Sequence, residues 1–516
     1  SRFELTQVPC ADAIDPKLLK VTNQTDKDVI VDFGRDTALR SFTYAGELKP
    51  YSRICDGRYL TIDIPEGTKD ACCILEVPLD FSQYANRGVR ASVMAKSENL
   101  KRVEGKGGFP VFGFRYEDPD SEQMTYANSG ATGSEFEEVS QWVMLAGKNV
   151  KRGFFRFGLW QMTGKVVFDL ETLKLGAYDG LFRKINNDFK VKYPEEIMRR
   201  RPLRGAMTPA GKITEDDFRT MKEWGMTLIR YQMTRQFAVI GANRDIADFN
   251  AFIDGKLEQL DTRILPLAEK YGISVCVCLH VTPGGREKNK ELTIFHEQDY
   301  LDSFLDIWRR IATRFKGRRN IYGYDLVNEP IQFSNVQPNM DYWNVQRRAA
   351  EAIREIDPDV TIVFESNLWD CPATFSYLSP LRMDNVVYQV HMYQPGEFTH
   401  QGIFGSKTGV VYPNAEKRWD VNMLRKVLQP VRDFQIQHDA KIYVGEFSAA
   451  TWAPGAGKYL EDVISVFNEY GWDWTYHAFR ESGCWSVEKE GPNSAHLKDS
   501  ADNDRKRALL KGLRAE

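Results

Sequence analysis

Residues 273–280 of the chain read ISVCVCLH, an almost unbroken apolar run that ends in a histidine. A strand that is buried on both faces has this composition, because neither face meets water. Outward from it, the apolar residues at 301, 304, 305, 308, 311 and 315 recur with the period of an amphipathic helix. The next apolar run, GYDLV at 323–327, again has the length of a buried strand. This order of strand, helix and strand predicts a parallel β/α architecture.

The same alternation extends over the whole C-terminal part of the chain. Eight strand candidates alternate with helical periodicity, at 204–207, 227–231, 273–280, 323–327, 361–364, 386–390, 442–445 and 475–479. The segment TEDD at 214–217 has capping-box spacing and is predicted to begin the first helix. Eight such units predict a (β/α)8 TIM barrel over 201–516. An open doubly wound sheet is the second choice, because no glycine-rich loop follows the first strand.

The first part of the chain, 1–180, has a different pattern. Short alternating runs lie between turn signals, for example at 59–64, 72–77, 109–116 and 154–159. This pattern is typical of antiparallel strands and predicts an all-β sandwich or jelly-roll domain. The polar and charged stretch 181–200 is predicted to be a linker. We therefore expect a multidomain protein, in which an all-β domain precedes a TIM barrel.

Composition and charge exclude several classes of function. The 516 residues carry 69 basic and 72 acidic side chains, a net charge of −3, so no nucleic-acid partner is expected. No apolar run reaches the roughly 18–20 residues that a membrane span needs. The chain begins at Ser1, and a removed signal segment would make the protein secreted, periplasmic or attached to the cell surface. Scattered cysteines and histidines predict neither a metal site nor a cofactor, and we expect a monomer.

Polar residues end the apolar strands of the predicted barrel, where TIM-barrel enzymes place their catalytic groups. They are Arg230, His280, Asn328, Glu329, His391, Tyr393 and Glu446. Glu329 and Glu446 stand out, since the carboxyl ends of barrel strands converge and two such glutamates can face each other. A retaining glycosidase needs two carboxyl groups ~5–5.5 Å apart, one as proton donor and one as nucleophile. A single glutamate would more often be an ion-paired strand end, but two together favour catalysis.

Two motifs around these glutamates are similar to those of a known family. The run YGYDLVNEP at 322–330 resembles the fourth-strand signature of glycoside hydrolase family 5, and VGEF at 444–447 resembles its seventh-strand motif. The resemblance covers about 200–516. It implies that Glu446 is the nucleophile of a double displacement and that Glu329 is the general acid/base. It also implies an endo-β-1,4-glucanase-like enzyme that acts on β-linked polysaccharide.

The resemblance assigns roles to further residues as well. Asn328 would hydrogen-bond the sugar 2-OH, while Arg230 and Tyr393 would keep Glu446 ionised. His280 and His391 would line the substrate site, unless they are core histidines with satisfied hydrogen bonds. The pKa of Glu329 is expected to be raised, with the charge of Glu446 as the cause.

One departure concerns the end of the eighth strand, where the family usually has a tryptophan that stacks on the sugar. Here the run GWDWTYHAF at 471–479 puts His477 at that place. We expect Trp485 to fold back and to contact the sugar instead. In the first domain, FRFGLWQMTGKVVFD at 155–169 resembles the closing strands of jelly-roll carbohydrate-binding modules. That domain is predicted either to bind sugar or to support the barrel.

Several alternatives stay open at the level of sequence. A β-mannanase, or an exo-acting β-glucosidase or glucanase, would use the same residues, so the partner is a β-glucan or a β-mannan, as polysaccharide or oligosaccharide. A non-catalytic sugar-binding protein is a second class, but the presence of both glutamates disfavours it. A TIM-barrel metalloenzyme would need a ligand set of histidines and carboxylates at the strand ends, whereas here the carboxylates are accompanied by Arg230 and Asn328.

Overall fold

The computed structural model describes strand segments at 20–24, 28–32 and 43–44, and then residues 51–178 and 188–515. Short gaps in these two ranges lie at 57, 70, 80, 82–87, 119–122, 145–149, 151, 209–212, 238, 333–335 and 404–405. The chain divides into two compact units, Ser1–Phe182 and Arg183–Glu516. Among the described residues, no helix combines the length and the hydropathy that crossing a bilayer requires.

The first unit is built from antiparallel strands. They are β1 (Lys20–Gln24), β2 (Asp28–Asp32), β3 (Thr43–Tyr44), β4 (Ser52–Cys55), β5 (Tyr59–Ile64), β6 (Cys72–Pro78), β7 (Gly88–Arg102), β8 (Phe109–Asp118), β9 (Gln123–Ser129), β10 (Glu137–Met144), β11 (Gly153–Trp160) and β12 (Met162–Tyr178). Two five-stranded sheets have the orders β10-β7-β12-β5-β4 and β3-β6-β11-β8-β9, and β1 pairs with β2.

Alternating side chains of both sheets form one apolar core. On β11, Phe155 and Phe157 are buried, and they meet Phe112 of β8 at ring-centroid distances of 5.2 and 5.7 Å. Phe168 of the other sheet lies 5.2 Å from Phe157. The period-two pattern that predicted strands in this unit therefore corresponds to one buried face for each sheet.

The second unit is a closed barrel of eight parallel strands, which confirms the predicted (β/α)8 architecture. The strands are β13 (Arg204–Met207), β14 (Leu228–Gln232), β15 (Ser274–Cys278), β16 (Ile321–Asp325), β17 (Ile362–Glu365), β18 (Val386–Met392), β19 (Lys441–Phe447) and β20 (Asp473–Tyr476). They pair in chain order, and β20 closes the barrel on β13. A two-stranded sheet, β21 (Lys489–Glu490) and β22 (Lys498–Asp499), follows.

Helices connect the barrel strands. They are α1 (Glu195–Arg199), α2 (Glu215–Trp224), α3 (Ile246–Gln259), α4 (Leu265–Tyr271), α5 (Gln298–Phe315), α6 (Tyr342–Arg354), α7 (Asn367–Asp370), α8 (Gly396–Thr399), α9 (Val421–His438), α10 (Ala456–Tyr470) and α11 (Asp504–Leu513). Thr214 and Asp217 form the predicted capping box of α2. The predicted apolar stripe of α5 is buried, including Leu301 and Trp308.

The stretch predicted as a linker is only partly described. Residues 181–187 lie outside the described residues. After them, Tyr193 donates its hydroxyl proton to the carbonyl oxygen of Val386 at 2.6 Å, and helix α1 follows. Residues from 188 onward therefore pack against the barrel, because the hydrogen bond between Tyr193 and Val386 fixes them at the start of β18.

Candidate active site

The barrel brings the predicted polar residues together at the carboxyl ends of its strands. Arg230 lies in β14, while His391 and Glu446 lie in β18 and β19. Asn328 and Glu329 follow shortly after the end of β16 at Asp325. Oxygen atoms of Glu329 and Glu446 and a ring nitrogen of His391 all lie within 4.8 Å of one another. Residues more than a hundred positions apart thus share one site, because closure of the barrel makes the strand ends converge.

Glu446 is held as a carboxylate by two donors. Arg230 donates from Nη1 to Oε1 at 2.6 Å, and Tyr393 donates its hydroxyl proton to Oε2 at 3.0 Å. The guanidinium of Arg230 is completely buried. A buried cation and a phenol proton directed at the same carboxylate fix its orientation.

Arg230 also links Glu446 to its surroundings. Its Nε donates to Asp325 at 2.8 Å, and its Nη2 donates to Asn328 Oδ1 and to Glu365 Oε1, both at 2.9 Å. One guanidinium therefore orients Glu446 and Asn328 together. Its planar fork of five N–H donors makes this possible, and a lysine could not reproduce it.

Glu329 has a backbone conformation that side-chain-bearing residues rarely adopt, with φ at +49°. Contacts hold this conformation from three directions. The N–H of Glu329 donates to Glu365 Oε2 at 2.6 Å, and its carbonyl oxygen accepts from Arg286 Nη2 at 3.0 Å. Its carboxyl Oε1 lies 3.0 Å from His391 Nδ1. A strained residue persists when its surroundings over-determine it. In this conformation an oxygen of the Glu329 carboxyl group lies within 4.8 Å of one of Glu446.

The pKa of Glu329 is raised above the ordinary value of a glutamate, and burial is the largest cause. The positive charges of Arg286, Arg230 and His477 oppose this shift only in part. The expected direction is therefore found, but burial takes the place of Glu446 as the main cause. Burial disfavours the carboxylate, so Glu329 keeps its proton at a higher pH than an exposed glutamate.

Asn328 is buried and uses only half of its amide. Its Oδ1 accepts from Arg230, whereas its Nδ2 has no hydrogen-bond partner among the residues that the structure describes. Asn328 also lines a cleft together with His280, Phe237 and Arg286. An amide nitrogen with free protons, next to Glu329 in the chain, can donate to a hydroxyl group of a bound molecule.

Both predicted histidines belong to the site as neutral imidazoles. Burial lowers the pKa of His391 to about 3 and that of His280 well below its usual range. Gln389 donates from Nε2 to Glu365, and the same nitrogen lies 3.3 Å from His391 Nε2. His391 Nε2 must then accept, so Nδ1 carries the proton and donates to Glu329. His280 packs against Phe237 with ring centroids 5.0 Å apart.

Beyond strand β20, His477 lies where the family tryptophan was expected. Its Nδ1 is 2.6 Å from the hydroxyl oxygen of Tyr393 and 3.7 Å from Glu446 Oε2. Trp485 folds back as predicted from the sequence, with ring centroids 5.5 Å from His477 and 5.9 Å from Tyr393. Trp485 is almost completely buried, and contact between its ring and the sugar stays a prediction.

Three residues of the site were not singled out from the sequence. Glu365 ends β17 after three apolar residues, which is the signal that pointed to Glu446, and could have been found in the same way. Arg286 lies in the loop after β15, between the rings of Phe237 and Trp369 at 5.2 and 5.0 Å. Glu481 lies in the loop after β20, and neither loop residue follows a pattern that sequence reasoning uses.

Within the described part of the chain, two groups of three residues are compact enough to be considered as metal ligands. They are Glu329, His391 and Glu446, and Glu365, Asp370 and His391. Arg230 already supplies a buried positive charge to Glu446 and Glu365. Neutral His391 uses both nitrogens for hydrogen bonds within the site. Hydrogen bonds and ion pairs within the site therefore already engage these carboxyl groups and the imidazole.

Comparison with known proteins agrees with this geometry. The family profile described as "Cellulase (glycosyl hydrolase family 5)" matches residues 193–483. Endoglucanase C of Acetivibrio thermocellus is 28% identical over 298 residues, which cover 51% of this chain and 84% of that protein. Cellodextrinase A of Ruminococcus flavefaciens is 23% identical over 269 residues, covering 50% of this chain and 76% of that protein.

Among solved structures, the endoglucanase Cel5A of Thermotoga maritima in complex with cellobiose is similar, with a TM-score of 0.48 and 21% identity over 60% of this chain and 96% of that one. The cellulose synthase subunit Z of Clostridioides difficile gives a TM-score of 0.46 at 19% identity, over 61% of this chain and 100% of that one. Because the family profile spans more than half of the chain, with both glutamate motifs inside it, the chain belongs to glycosyl hydrolase family 5 and is an O-glycosyl hydrolase.

Proposed function

We propose that the protein is a retaining endo-β-1,4-glucanase that works by double displacement. The observation that supports this is the distance between the two glutamates, whose oxygen atoms lie within 4.8 Å of each other. Retaining enzymes place their carboxyl groups ~5–5.5 Å apart, whereas inverting enzymes need ~6.5–9.5 Å to admit a water molecule between them. The two carboxyl groups also differ in environment, as two different catalytic roles require.

In the first step, Glu446 attacks the anomeric carbon and forms a glycosyl-enzyme, while Glu329 gives its proton to the departing glycosidic oxygen. Arg230 and Tyr393 keep Glu446 ionised and aimed before the attack. Burial keeps Glu329 protonated, and His391 orients its carboxyl group. In the second step, Glu329 takes a proton from water, which attacks the same carbon and releases Glu446.

The substrate that we propose is a chain of β-1,4-linked glucose. Relatives named endoglucanase and cellodextrinase favour this substrate, since each matches about half of this chain. A polymer of this kind cannot enter a cell, so we further propose that the enzyme works outside the cytoplasm. Action as a monomer is also proposed, because every group of the site comes from a single chain.

Product analysis on a panel of substrates tests this assignment. Soluble cellulose derivatives, mixed-linkage glucan, mannan and cello-oligosaccharides are incubated with the enzyme, and the products are sized over time. We expect early release of mixed oligosaccharides from the β-1,4-glucans. Release of glucose alone from chain ends would identify an exo-acting enzyme, and preferential cleavage of mannan would identify a mannanase.

Replacement of the nucleophile tests the chemistry. Glu446→Ala should lower turnover at least about a thousandfold, since loss of a nucleophile removes a whole catalytic unit. Azide added to this variant should yield an α-glycosyl azide, because azide attacks from the vacated face. The surface variant Glu469→Ala, whose side chain pairs with Arg425 at 2.7 Å, serves as the control and should retain full turnover. A Glu446→Ala enzyme with a tenth of normal activity would contradict the assignment.

For the first unit, we propose a β-sandwich domain that binds glucan. Trp160 of β11 and Phe109 of β8 are register partners, and each is 40% exposed. Two neighbouring exposed rings on one sheet can stack on the flat faces of pyranose rings. The double variant Trp160→Ala and Phe109→Ala should lower retention on insoluble cellulose without changing turnover of a soluble oligosaccharide. Phe136→Ala changes an exposed ring elsewhere in this unit and is the matched control. Equal retention of all three proteins on cellulose would contradict sugar binding and would favour a domain that supports the barrel.

A further inference from the structure

His477 lies in a chain of hydrogen bonds that leads to Glu446. Glu481 Oε2 is 3.1 Å from His477 Nε2, and His477 Nδ1 is 2.6 Å from the hydroxyl oxygen of Tyr393. Tyr393 in turn donates to Glu446 Oε2 at 3.0 Å. The chain therefore runs from one carboxylate through an imidazole and a phenol to a second carboxylate.

Counting protons along this chain determines the charge of the imidazole. Tyr393 has one hydroxyl proton, and if Glu446 receives it, the phenol oxygen can only accept from His477 Nδ1. Glu481 as a carboxylate can only accept, so His477 Nε2 must donate to it. Both ring nitrogens then carry protons, and His477 is an imidazolium.

The electrostatic surroundings agree with this count. Burial alone would lower the pKa of His477, but the carboxylates of Glu446 and Glu481 outweigh burial and raise it to about 9. Once it is ionised, Glu329 adds a smaller contribution in the same direction. The charge of His477 also contributes to lowering the pKa of Glu481, against the effect of burial.

Other ionisable groups near His477 come from several strands. His280, His391 and His400 are kept neutral mainly by burial, and the positive charge of His477 contributes to each of these shifts. Arg230 lies on the far side of Glu446, to which it donates from Nη1. The ring of Trp485 covers His477 at 5.5 Å. Among these neighbours, only carboxylates favour the charged imidazole.

We infer that the ion pair of His477 and Glu481 is a positioning device, which forces the proton of Tyr393 onto Glu446 and so orients the nucleophile. This inference rests on the proposed role of Glu446 as nucleophile. His477 acts only through Tyr393 and adds a positive charge 3.7 Å from Glu446 Oε2. A side chain without an N–H or O–H donor at this place could not control the direction of the phenol proton.

Loss of the imidazolium proton from Nδ1 reverses the hydrogen bond between His477 and Tyr393. Because the pKa of His477 is raised, the ring stays charged at neutral pH and loses its proton only as the pH rises through about 9. The remaining proton stays on Nε2, opposite Glu481, and Nδ1 becomes an acceptor for Tyr393. Glu446 then loses a hydrogen bond to a charged group, which should lower kcat/KM about ten- to hundredfold.

The experiment compares Glu481→Gln with the normal enzyme in two measurements. NMR of ¹⁵N-labelled histidine follows the charge of His477 in the free, full-length enzyme, and His477→Gln identifies its signals among the seven histidines. The pH profile of kcat/KM is recorded on an aryl cellobioside with a good leaving group, which makes proton donation by Glu329 unimportant. We expect Glu481→Gln to lower the pKa of His477 and to shift the upper limb of the profile down by at least about one pH unit.

Two further variants separate positioning from simple support. Glu481→Asp keeps the charge and should restore the upper limb in part. Glu488→Gln changes a glutamate of the same loop that pairs with Arg480 at 2.7 Å, and it should leave both measurements unchanged. A His477 that titrates near the ordinary ~6.5 of a histidine would overturn the inference. So would an upper limb that does not follow the pKa of His477. The NMR titration needs no turnover, so failure of the proposed function would be seen separately, as an active Glu446→Ala enzyme.

Discussion

Replacement of Asn328 by alanine tests how the site recognises the sugar. The amide nitrogen of Asn328 has no partner among the described residues, although the side chain is buried beside both glutamates. We expect this nitrogen to donate to the sugar 2-OH, in a hydrogen bond that strengthens as charge develops at the anomeric carbon. The variant removes that donor and leaves the rest of the cleft in place.

The size of the effect follows from the contacts. Hydrogen bonds to the 2-OH strengthen in the transition state and supply several kcal/mol together. A share of about 2–3 kcal/mol for Asn328 corresponds to about a 30- to 150-fold loss of kcat/KM. Arg230 loses Asn328 as an acceptor, but its Nη2 keeps Glu365 at 2.9 Å. Stability should therefore fall by only about 1 kcal/mol.

The assay is a double-mutant cycle between enzyme and substrate. Both enzymes are measured on an aryl β-cellobioside and on its 2-deoxy analogue, in which the proximal 2-OH is missing. When the cellobioside is exchanged for the analogue, we expect kcat/KM of the normal enzyme to fall nearly to that of Asn328→Ala. The kcat/KM of Asn328→Ala itself should change little. If Asn328→Ala lowered kcat/KM, relative to the normal enzyme, by the same factor on both substrates, the reasoning would be refuted. The role of Asn328 would then lie in orienting Arg230.

Three further predictions concern Glu329 and its neighbours. Glu329→Gln should remove the basic limb of the pH profile that deprotonation of Glu329 causes. On a substrate with a good leaving group, the upper limb that remains should lie near the pKa of His477, about 9. Arg286→Gln should shift the upper limb of the profile on cello-oligosaccharides to higher pH. The Arg286 cation lowers the pKa of Glu329, so its loss should raise that pKa. Arg286→Lys keeps the charge and should shift the limb less. An upper limb that moves down in Arg286→Gln would contradict this. Glu365→Gln should lower the free energy of unfolding by about 3 kcal/mol, as seen in a lower melting temperature, because one of the buried donors Arg230 and Glu329 N–H loses its acceptor.

The barrel could be predicted because its evidence is local in sequence. Each strand of the barrel is an apolar run such as 273–280, and each helix has its own apolar stripe, so period and order were enough to give the architecture. Glu329 and Glu446 could be predicted for the same reason, since a polar residue at the end of a buried strand needs a function or a partner. The alternating pattern of the first unit gave its strands but not its sheet order, because pairing joins strands such as β7 and β12 that are distant in sequence.

Contacts between loops could not be predicted in this way. Arg286 and Glu481 lie in segments without periodicity, and nothing near them in sequence indicates that one clamps the backbone of Glu329 and the other pairs with His477. The cause of the raised pKa of Glu329 was also missed, since burial depends on every segment that covers the carboxyl group.

The sequence by itself determined that a parallel barrel forms and that two glutamates end its strands, because hydrophobic period and residue type are properties of short segments. Only the tertiary structure decided that Arg230 would bind both Glu446 and Asn328, and that His477 would be charged. The physical reason is that hydrogen bonds and charge interactions act over a few ångströms between side chains that barrel closure brings together, and no short segment contains both partners.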